Sequence, residues 1–238
     1  MRWGGSMPLK TVLEQHLLRF QDSRGGGFFG SESARDAGTG VIDFDSITLA
    51  CAALCSAGNT EAAEKCGRFL VELVRSQPEP DRQFFFMWDT GKGLIDDGDS
   101  PPGPNRVLEW KKPGQYLYKI GLLVLALTLL HRLHGNASHL DMAREFYRRA
   151  VSLSPDLWTN TLAHKMIWAA HALFCVTGDN EYAEHTCRMA DHLVTLQQPD
   201  GGFHYPEFWP PYSEVAPEQK LNIGTQFASW IAMASGRR

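Results

Sequence analysis

The sequence predicts an all-α protein: an α/α toroid, or barrel, of about four helical hairpins with inner and outer helix rings, in a single domain over residues 1–238. Three observations predict it. A helix–turn–aromatic stretch recurs, as Leu196-Gln-Gln-Pro-Asp-Gly-Gly-Phe-His-Tyr205, as Phe20-Gln-Asp-Ser-Arg-Gly-Gly-Gly-Phe-Phe29, and more weakly over Val74–Phe84. Helices that are apolar all round alternate with helices charged on one side, as buried inner and wet outer elements would. The short turns Gly58-Asn59, Gly135-Asn136 and Gly178-Asp179 each follow an apolar helix. Self-similarity of this kind marks a repeat architecture.

In chain order, Leu9 to Gln21 carries apolar residues at Val12, Leu13, Leu17, Leu18 and Phe20, an amphipathic helix that Gly25-Gly26-Gly27 stops. A glycine-rich loop runs to Gly40. Asp43 or Asp45 caps a second helix, Ser46–Ser56, almost wholly apolar or small. Thr60 caps an amphipathic helix that ends at Gln77, and a long loop covers Pro78–Pro113. Gln115–Leu133 is apolar, Ser138–Leu153 charged on one side, Asn160–Val176 apolar and Asn180–Gln198 charged on one side. The loop Pro199–Pro217 leads to a last apolar helix, Leu221–Ala234. The first helix is outer and the last inner, so the two can pair to close a ring. No segment reads as a convincing strand.

Composition bounds the function. A chain of 238 residues with 43% hydrophobic and 21% charged residues can bury a large core. A net charge of -4 without a Lys/Arg cluster gives no footprint for nucleic acid or a membrane surface. The longest apolar run, Ile120–Leu130, is too short to span a bilayer. The five cysteines, Cys51, Cys55, Cys66, Cys175 and Cys187, sit in helical patterns as buried small hydrophobes, with no Cys-x-x-Cys or zinc-type spacing. No metal or cofactor is expected. Met1–Phe20 lacks the apolar core of a signal peptide, which predicts a cytoplasmic protein.

On Gln198-Pro-Asp-Gly-Gly-Phe203, on Gly27-Phe-Phe-Gly30 and on the inner/outer alternation, the chain resembles the α/α toroids of terpene cyclases and protein prenyltransferase β-subunits. The resemblance implies an aromatic-lined central cavity. It also implies an acid at Asp45, because Asp43-Phe-Asp45-Ser46 matches the Asp-x-Asp-Asp motif, in which the middle Asp protonates an alkene or epoxide; Ser46 stands where the last carboxylate belongs. No Cys accompanies Asp43 or Asp45, so the zinc site of a prenyltransferase is excluded. Asp96-Asp97-Gly98-Asp99 lies among glycines and prolines and reads as a solvated loop, not a magnesium motif. Polysaccharide lyases and glycosidases with α/α barrels use similar Asp-Gly-Gly-aromatic turns.

The long loops and the inner-helix N-termini should meet at one rim. The loops supply large aromatics, among them Trp88, Trp158, Phe203, Trp209 and Tyr212, as cavity walls or as a lid. The inner-helix starts supply Asp43, Asp45, Gln115, Tyr116, Tyr118, Lys119, Asn160, His164, Lys165, Asn222 and Gln226, beside backbone N–H groups that favour an anionic ligand. Asn160, His164, Trp168 and His171 share one face at helical spacing. Candidate acid/base groups are Asp43, Asp45, Lys119 and His164; candidate substrate contacts are Trp88, Tyr116, Trp158, Asn160, Trp168, Phe203, Trp209 and Tyr212. Each also has a structural reading: the Asp pair as helix cap, His164 as a satisfied core histidine, Lys119 as one half of an ion pair with Asp43, Asp45 or Asp89.

The leading expectation is a cyclase or isomerase acting on an apolar terpenoid or polyketide intermediate. A carbohydrate-active lyase or hydrolase is the alternative, with Asp45 and Asp89 for hydrolysis or His164, Tyr116 or Tyr118, and Asn160 for elimination. A non-enzymatic helical-repeat binding protein is the third.

Overall fold

A computed structural model describes residues 7–38, 40–96, 106–204 and 212–235, with side chains at all of these but 7–10, 43, 212, 223 and 233–235. The chain divides into two compact units, Met1–Glu109 with Leu125–Ala143, and Trp110–Val124 with Arg144–Arg238.

The first unit holds helices α1 (Met7–Leu18), α2 (Glu32–Ala37), α3 (Phe44–Ala57) and α4 (Thr60–Arg75). It also holds strands β1 (Val41–Asp43), β2 (Gln83–Phe85), β3 (Met87–Asp89), β4 (Gly93–Leu94) and β5 (Val107–Glu109). The hairpin of α3 and α4 is its core. Phe44, Ile47, Cys51 and Leu54 of α3 and Ala63, Cys66, Phe69 and Leu70 of α4 are buried at the i, i+3/i+4 spacing of facing helix stripes. Each such side chain contributes about 1.5–3 kcal/mol if its size is that of Leu or Phe.

Two details refine the sequence reading. The helix α3 begins at Phe44, so of the two expected caps Asp43 holds the position before the helix and Asp45 lies in its first turn, where its charge suits the helix dipole. The cap of α4 is Asn59, not Thr60: the Asn59 Oδ1 accepts from the Ala62 N–H at 3.1 Å.

Strands do exist where none was expected. The strand β3 pairs antiparallel with β1 (Ile42 opposite Trp88) and with β4, and β2 pairs antiparallel with β5 (Phe84 opposite Leu108). Strands of two or three residues are too short for an alternating pattern to be read from sequence. The six-residue α2 was likewise hidden in the glycine-rich loop. Ser31 caps it by accepting from the Ala34 N–H.

Helices α5 (Tyr118–His134) and α6 (Ala137–Leu153) are joined by the Gly135-Asn136 turn, and each contributes to both units. The second unit adds α7 (Met166–Thr177), α8 (Asn180–Thr195) and α9 (Pro217–Ser235), with α8 packed on both α7 and α9. The three Gly-Asn/Asp turns work alike. The glycine, at φ 80, 72 and 71 for Gly58, Gly135 and Gly178, ends one helix in the left-handed conformation. The Asn or Asp after it then accepts from the next helix: Asn59 from Ala62, Asn136 from Ser138, Asp179 from Glu181.

The repeated Gln–turn–Phe stretches also share a structure. Gln21 pairs with Phe28, and Gln197 with Phe203, as isolated antiparallel bridges that close the turn after a helix. At the weaker copy the work falls to a side chain. Buried Gln77 accepts from the Phe85 N–H at 2.7 Å and donates to the Leu73 and Phe85 carbonyls at 3.1 Å each.

The inner helix expected over Asn160–Val176 is broken. Asn160 caps a 3₁₀ turn, Thr161–Ala163, and the α-helix starts only at Met166. The Asn160 side chain accepts from the Leu162 N–H at 2.8 Å and donates to the Gln115 carbonyl at 3.1 Å, which holds the turn. At the break α5 comes very close: a Cβ on Gly121 would lie 2.6 Å from the Lys165 carbonyl carbon. No described helix is long and apolar enough to cross a membrane.

Candidate functional site

In the second unit, the break before α7 and the start of α5 bring several of the expected residues together. Tyr118, on the first turn of α5, is the centre. The His164 imidazole stacks on its ring at 5.6 Å between centroids and 20° between planes. The Lys165 ammonium lies 4.7 Å from the same ring centroid and that of Lys119 5.4 Å, both within cation–π range. Tyr116 lies beside Tyr118 at 5.8 Å. Two cations and an imidazole thus surround one phenol ring.

His164 is buried between two aromatic planes, Tyr118 on one side and Trp230 of α9 at 4.8 Å on the other. Its Nδ1 lies 2.7 Å from the Thr161 carbonyl, which can only accept, so the proton is assigned to Nδ1. Burial pushes its pKa down to about 3, and the neighbouring Lys165 charge adds to the shift. The imidazole is therefore neutral, with Nε2 as its acceptor nitrogen. Burial also raises the Tyr116 phenol above its ordinary range.

An aromatic wall adjoins this cluster. Trp168 meets Trp230 edge-on at 5.9 Å, Phe203 meets Phe227 at 5.2 Å, and Phe227 meets Trp230 at 5.5 Å. Phe203, Phe227 and Trp230 are no more than 5% exposed, so these faces pack on one another. The Trp230 Nε1 is buried without a hydrogen-bond partner among the described residues. Trp230 went unnoticed in the sequence, where it reads as one more apolar residue of the last helix. The break that sets Lys165 beside Tyr118 has no sequence signal beyond Asn160.

Other expected residues stand elsewhere. Trp158 turns to α8, with its ring 4.7 Å from His185 and under the Arg188 guanidinium at 4.2 Å. In the first unit, Trp88 of β3 packs edge-on against Phe69 at 5.5 Å, and Asp45 is half-buried in the first turn of α3. The Asp89 carboxylate accepts from the Gly91 and Lys92 N–H groups at 2.8 and 2.9 Å and so holds the turn from β3 to β4. The side chains of Asp43 and Tyr212 and the whole of Trp209 lie outside the described residues. Two surface hollows of about 420 and 320 Å³ flank the Gln21–Arg24 turn, and none of the expected site residues lines either. Among the described residues, no group of three or more His, Cys, Asp or Glu is placed to hold a metal ion.

No family model matches the chain, and no curated protein matches its sequence. Solved structures do resemble it. The GH76 α-mannanase of Bacteroides thetaiotaomicron superposes with a TM-score of 0.58 at 10% identity, over 83% of this chain and 54% of its own. The Lin0763 protein of Listeria innocua superposes with a TM-score of 0.59 at 15% identity, over 98% of this chain and 66% of its own. The chain therefore spans between about half and two thirds of the length of these neighbours. At such identities the likeness speaks for fold, not chemistry. It supports the toroid but not a terpene cyclase in particular, and the chain is an all-α protein of the toroid class, built of helical hairpins.

Proposed function

We propose that the chain is a carbohydrate-active enzyme of the α/α-toroid kind that acts on an acidic oligosaccharide by elimination. The observation that carries this reading is the pair of ammonium groups, Lys119 and Lys165, over the ring of Tyr118 with neutral His164 stacked on it. Elimination next to a sugar carboxylate needs a cation to draw off the charge that builds on that carboxylate, a base for the adjacent carbon-bound proton and an acid for the leaving oxygen. Lys119 and Lys165 serve as the cations, and Tyr118, as the phenolate, takes the carbon-bound proton and hands it to the leaving oxygen. The C–H bond breaks, a C=C bond forms, and the glycosidic C–O bond breaks as its oxygen takes up a proton. Neutral His164 orients Tyr118 without adding a third positive charge. The α-mannanase neighbour supports carbohydrate as the substrate class. Hydrolysis by Asp45 and Asp89 is less favoured, because two turn N–H groups already engage the Asp89 carboxylate.

The test is incubation with uronate-containing oligosaccharides and with neutral mannans, following ultraviolet absorbance of the unsaturated product and release of reducing ends. Activity on the acidic set, lost in Tyr118→Phe and Lys165→Met, is the expected result. Reducing ends from neutral mannan without an unsaturated product would replace elimination by hydrolysis. A second reading, a cyclase acting on an apolar terpenoid or polyketide intermediate, draws on the buried Trp230 Nε1, which has no hydrogen-bond partner among the described residues, as a donor for one substrate oxygen in an otherwise aromatic wall. Turnover of apolar polyenes with none of acidic sugars would favour it.

A further inference from the structure

Three cysteines of the first unit, unused in the chemistry above, meet in one place. Cys51 and Cys55 stand one turn apart on α3, and Cys66 lies on α4, the helix packed against it. Cys51 and Cys66 are wholly buried, whereas Cys55 is 8% exposed. The Cys51 thiol lies near enough to those of Cys55 and Cys66 for both to shift its titration. Gln21 Nε2 also donates to Cys66 Sγ at 3.5 Å. The sequence reads these residues as small hydrophobes; the fold gathers them where α3 packs on α4.

The three are not equivalent. The hydrogen bond from Cys51 holds the Cys55 thiol below its ordinary range, aided by the Arg132 charge and against the opposing effect of burial. Cys51 is pushed well above its own range by its hydrogen bonds to Cys55 and Cys66 and by burial. Cys55 is thus both the better nucleophile and the sulfur an outside oxidant reaches. Helix geometry selects the final pair. Residues four apart on a helix have Cβ atoms about 5–6 Å apart, whereas a relaxed disulfide needs about 3.5–4.5 Å. A Cys51–Cys55 bond would strain α3, and a bond between helices is free of that constraint.

We propose that Cys51 and Cys66 close a disulfide between α3 and α4, entered through Cys55, when the protein meets a peroxide. The Cys55 thiolate attacks one peroxide oxygen: an S–O bond forms, the O–O bond breaks, and the leaving hydroxide takes a proton to become water. Cys51 then attacks the Cys55 sulfur; an S–S bond forms, the S–O bond breaks, and a second water departs with the Cys51 proton. Cys66 attacks the Cys51 sulfur in turn, the Cys51–Cys66 bond forms, and Cys55 leaves as a thiol with the proton of Cys66. Overall, two thiols lose two electrons and two protons, and the peroxide is reduced to two waters.

The experiment adds hydrogen peroxide to the full chain, blocks the remaining thiols and maps cross-links by peptide mass spectrometry without reduction. The expected product is a Cys51–Cys66 cross-linked peptide, lighter by two hydrogens and restored by dithiothreitol. In Cys55→Ala it should form about tenfold more slowly, since attack must then start from a buried, protonated thiol. Oxidation confined to Cys175 or Cys187, or over-oxidised Cys55 without a link to Cys66, overturns the proposal. Circular dichroism checks that Cys55→Ala is folded; should it not be, the wild-type cross-link map decides alone.

Discussion

Gly121→Ala tests the close approach that places Lys165. A Cβ at this position would lie 2.6 Å from the Lys165 carbonyl carbon, 2.7 Å from its oxygen and 2.8 Å from the Met166 nitrogen. All three are backbone atoms, so no rotamer change relieves the contact, and α5 must move away from the start of α7. Overpacking of this kind costs about 1–3 kcal/mol. With no flexible side chain to give way, the upper part of that range applies, about 2–3 kcal/mol. Replacing a helical glycine by alanine returns up to about 1 kcal/mol through helix propensity. The net expectation is a loss of about 1–2 kcal/mol, or roughly 2–8 °C in Tm for a chain of this size. Urea and thermal unfolding measure it. On the elimination proposed above, Lys165 shifts with the helix start and uronate turnover should fall in the folded variant as well. A Gly121→Ala protein as stable as the wild type would refute the reasoning, since propensity would then outweigh a clash that the helix spacing makes unavoidable.

Gln77→Ala should cost about 2–4 kcal/mol, because it strands the buried N–H and carbonyl of Phe85 together; a loss under half a kilocalorie in urea unfolding, about the size of a neutral surface change, would contradict this. The stability of the protein should rise with pH through the window from about 3 to 6.5, because the unfolded chain binds a proton on His164 there and the folded chain does not. His139 and His185, both lowered chiefly by burial, act in the same direction. At pH 5 the His164 contribution amounts to about 2 kcal/mol, and urea midpoints compared at pH 5 and pH 7 should differ less in His164→Phe than in the wild type. Asn160→Ala removes the hydrogen bonds to the Leu162 N–H and the Gln115 carbonyl and should lower stability by about 1–2 kcal/mol; on the proposed elimination it should also lower turnover, and unchanged turnover would separate the 3₁₀ turn from the site.

The hairpins were legible because their signals are local and redundant. An apolar helix, a Gly-Asn or Gly-Asp turn and a one-sided charged helix each carry a pattern long enough to read, and α3, α4 and α8 follow it to within a few residues, as does the end of α7. Asp45 and the Asn59 cap show the limit: one residue separates a cap from a first-turn position, and periodicity does not resolve it. The break at Thr161–Lys165 was illegible for a different reason. It is set by the Asn160–Gln115 hydrogen bond and the close approach of Gly121, contacts made 45 and about that many residues apart along the chain. Reading Asn160, His164, Trp168 and His171 as one helical face therefore assumed a continuous helix that ends short of the first two. Lys119 and His164 stood out as polar groups in apolar company, yet nothing in their spacing tells that both would converge on Tyr118.

The Gln21–Phe28 and Gln197–Phe203 bridges have a consequence for how such a chain can change. Each closes its own turn within eight residues, using backbone pairs that take nothing from the rest of the loop. The helix ahead of the bridge is therefore insulated from what comes after it. Loop sequence beyond Phe29 or Phe203 can be lengthened, shortened or exchanged while the helical frame keeps its register. Loop sequence can then drift quickly on a scaffold that drifts slowly, and two proteins can share these hairpins with little sequence in common.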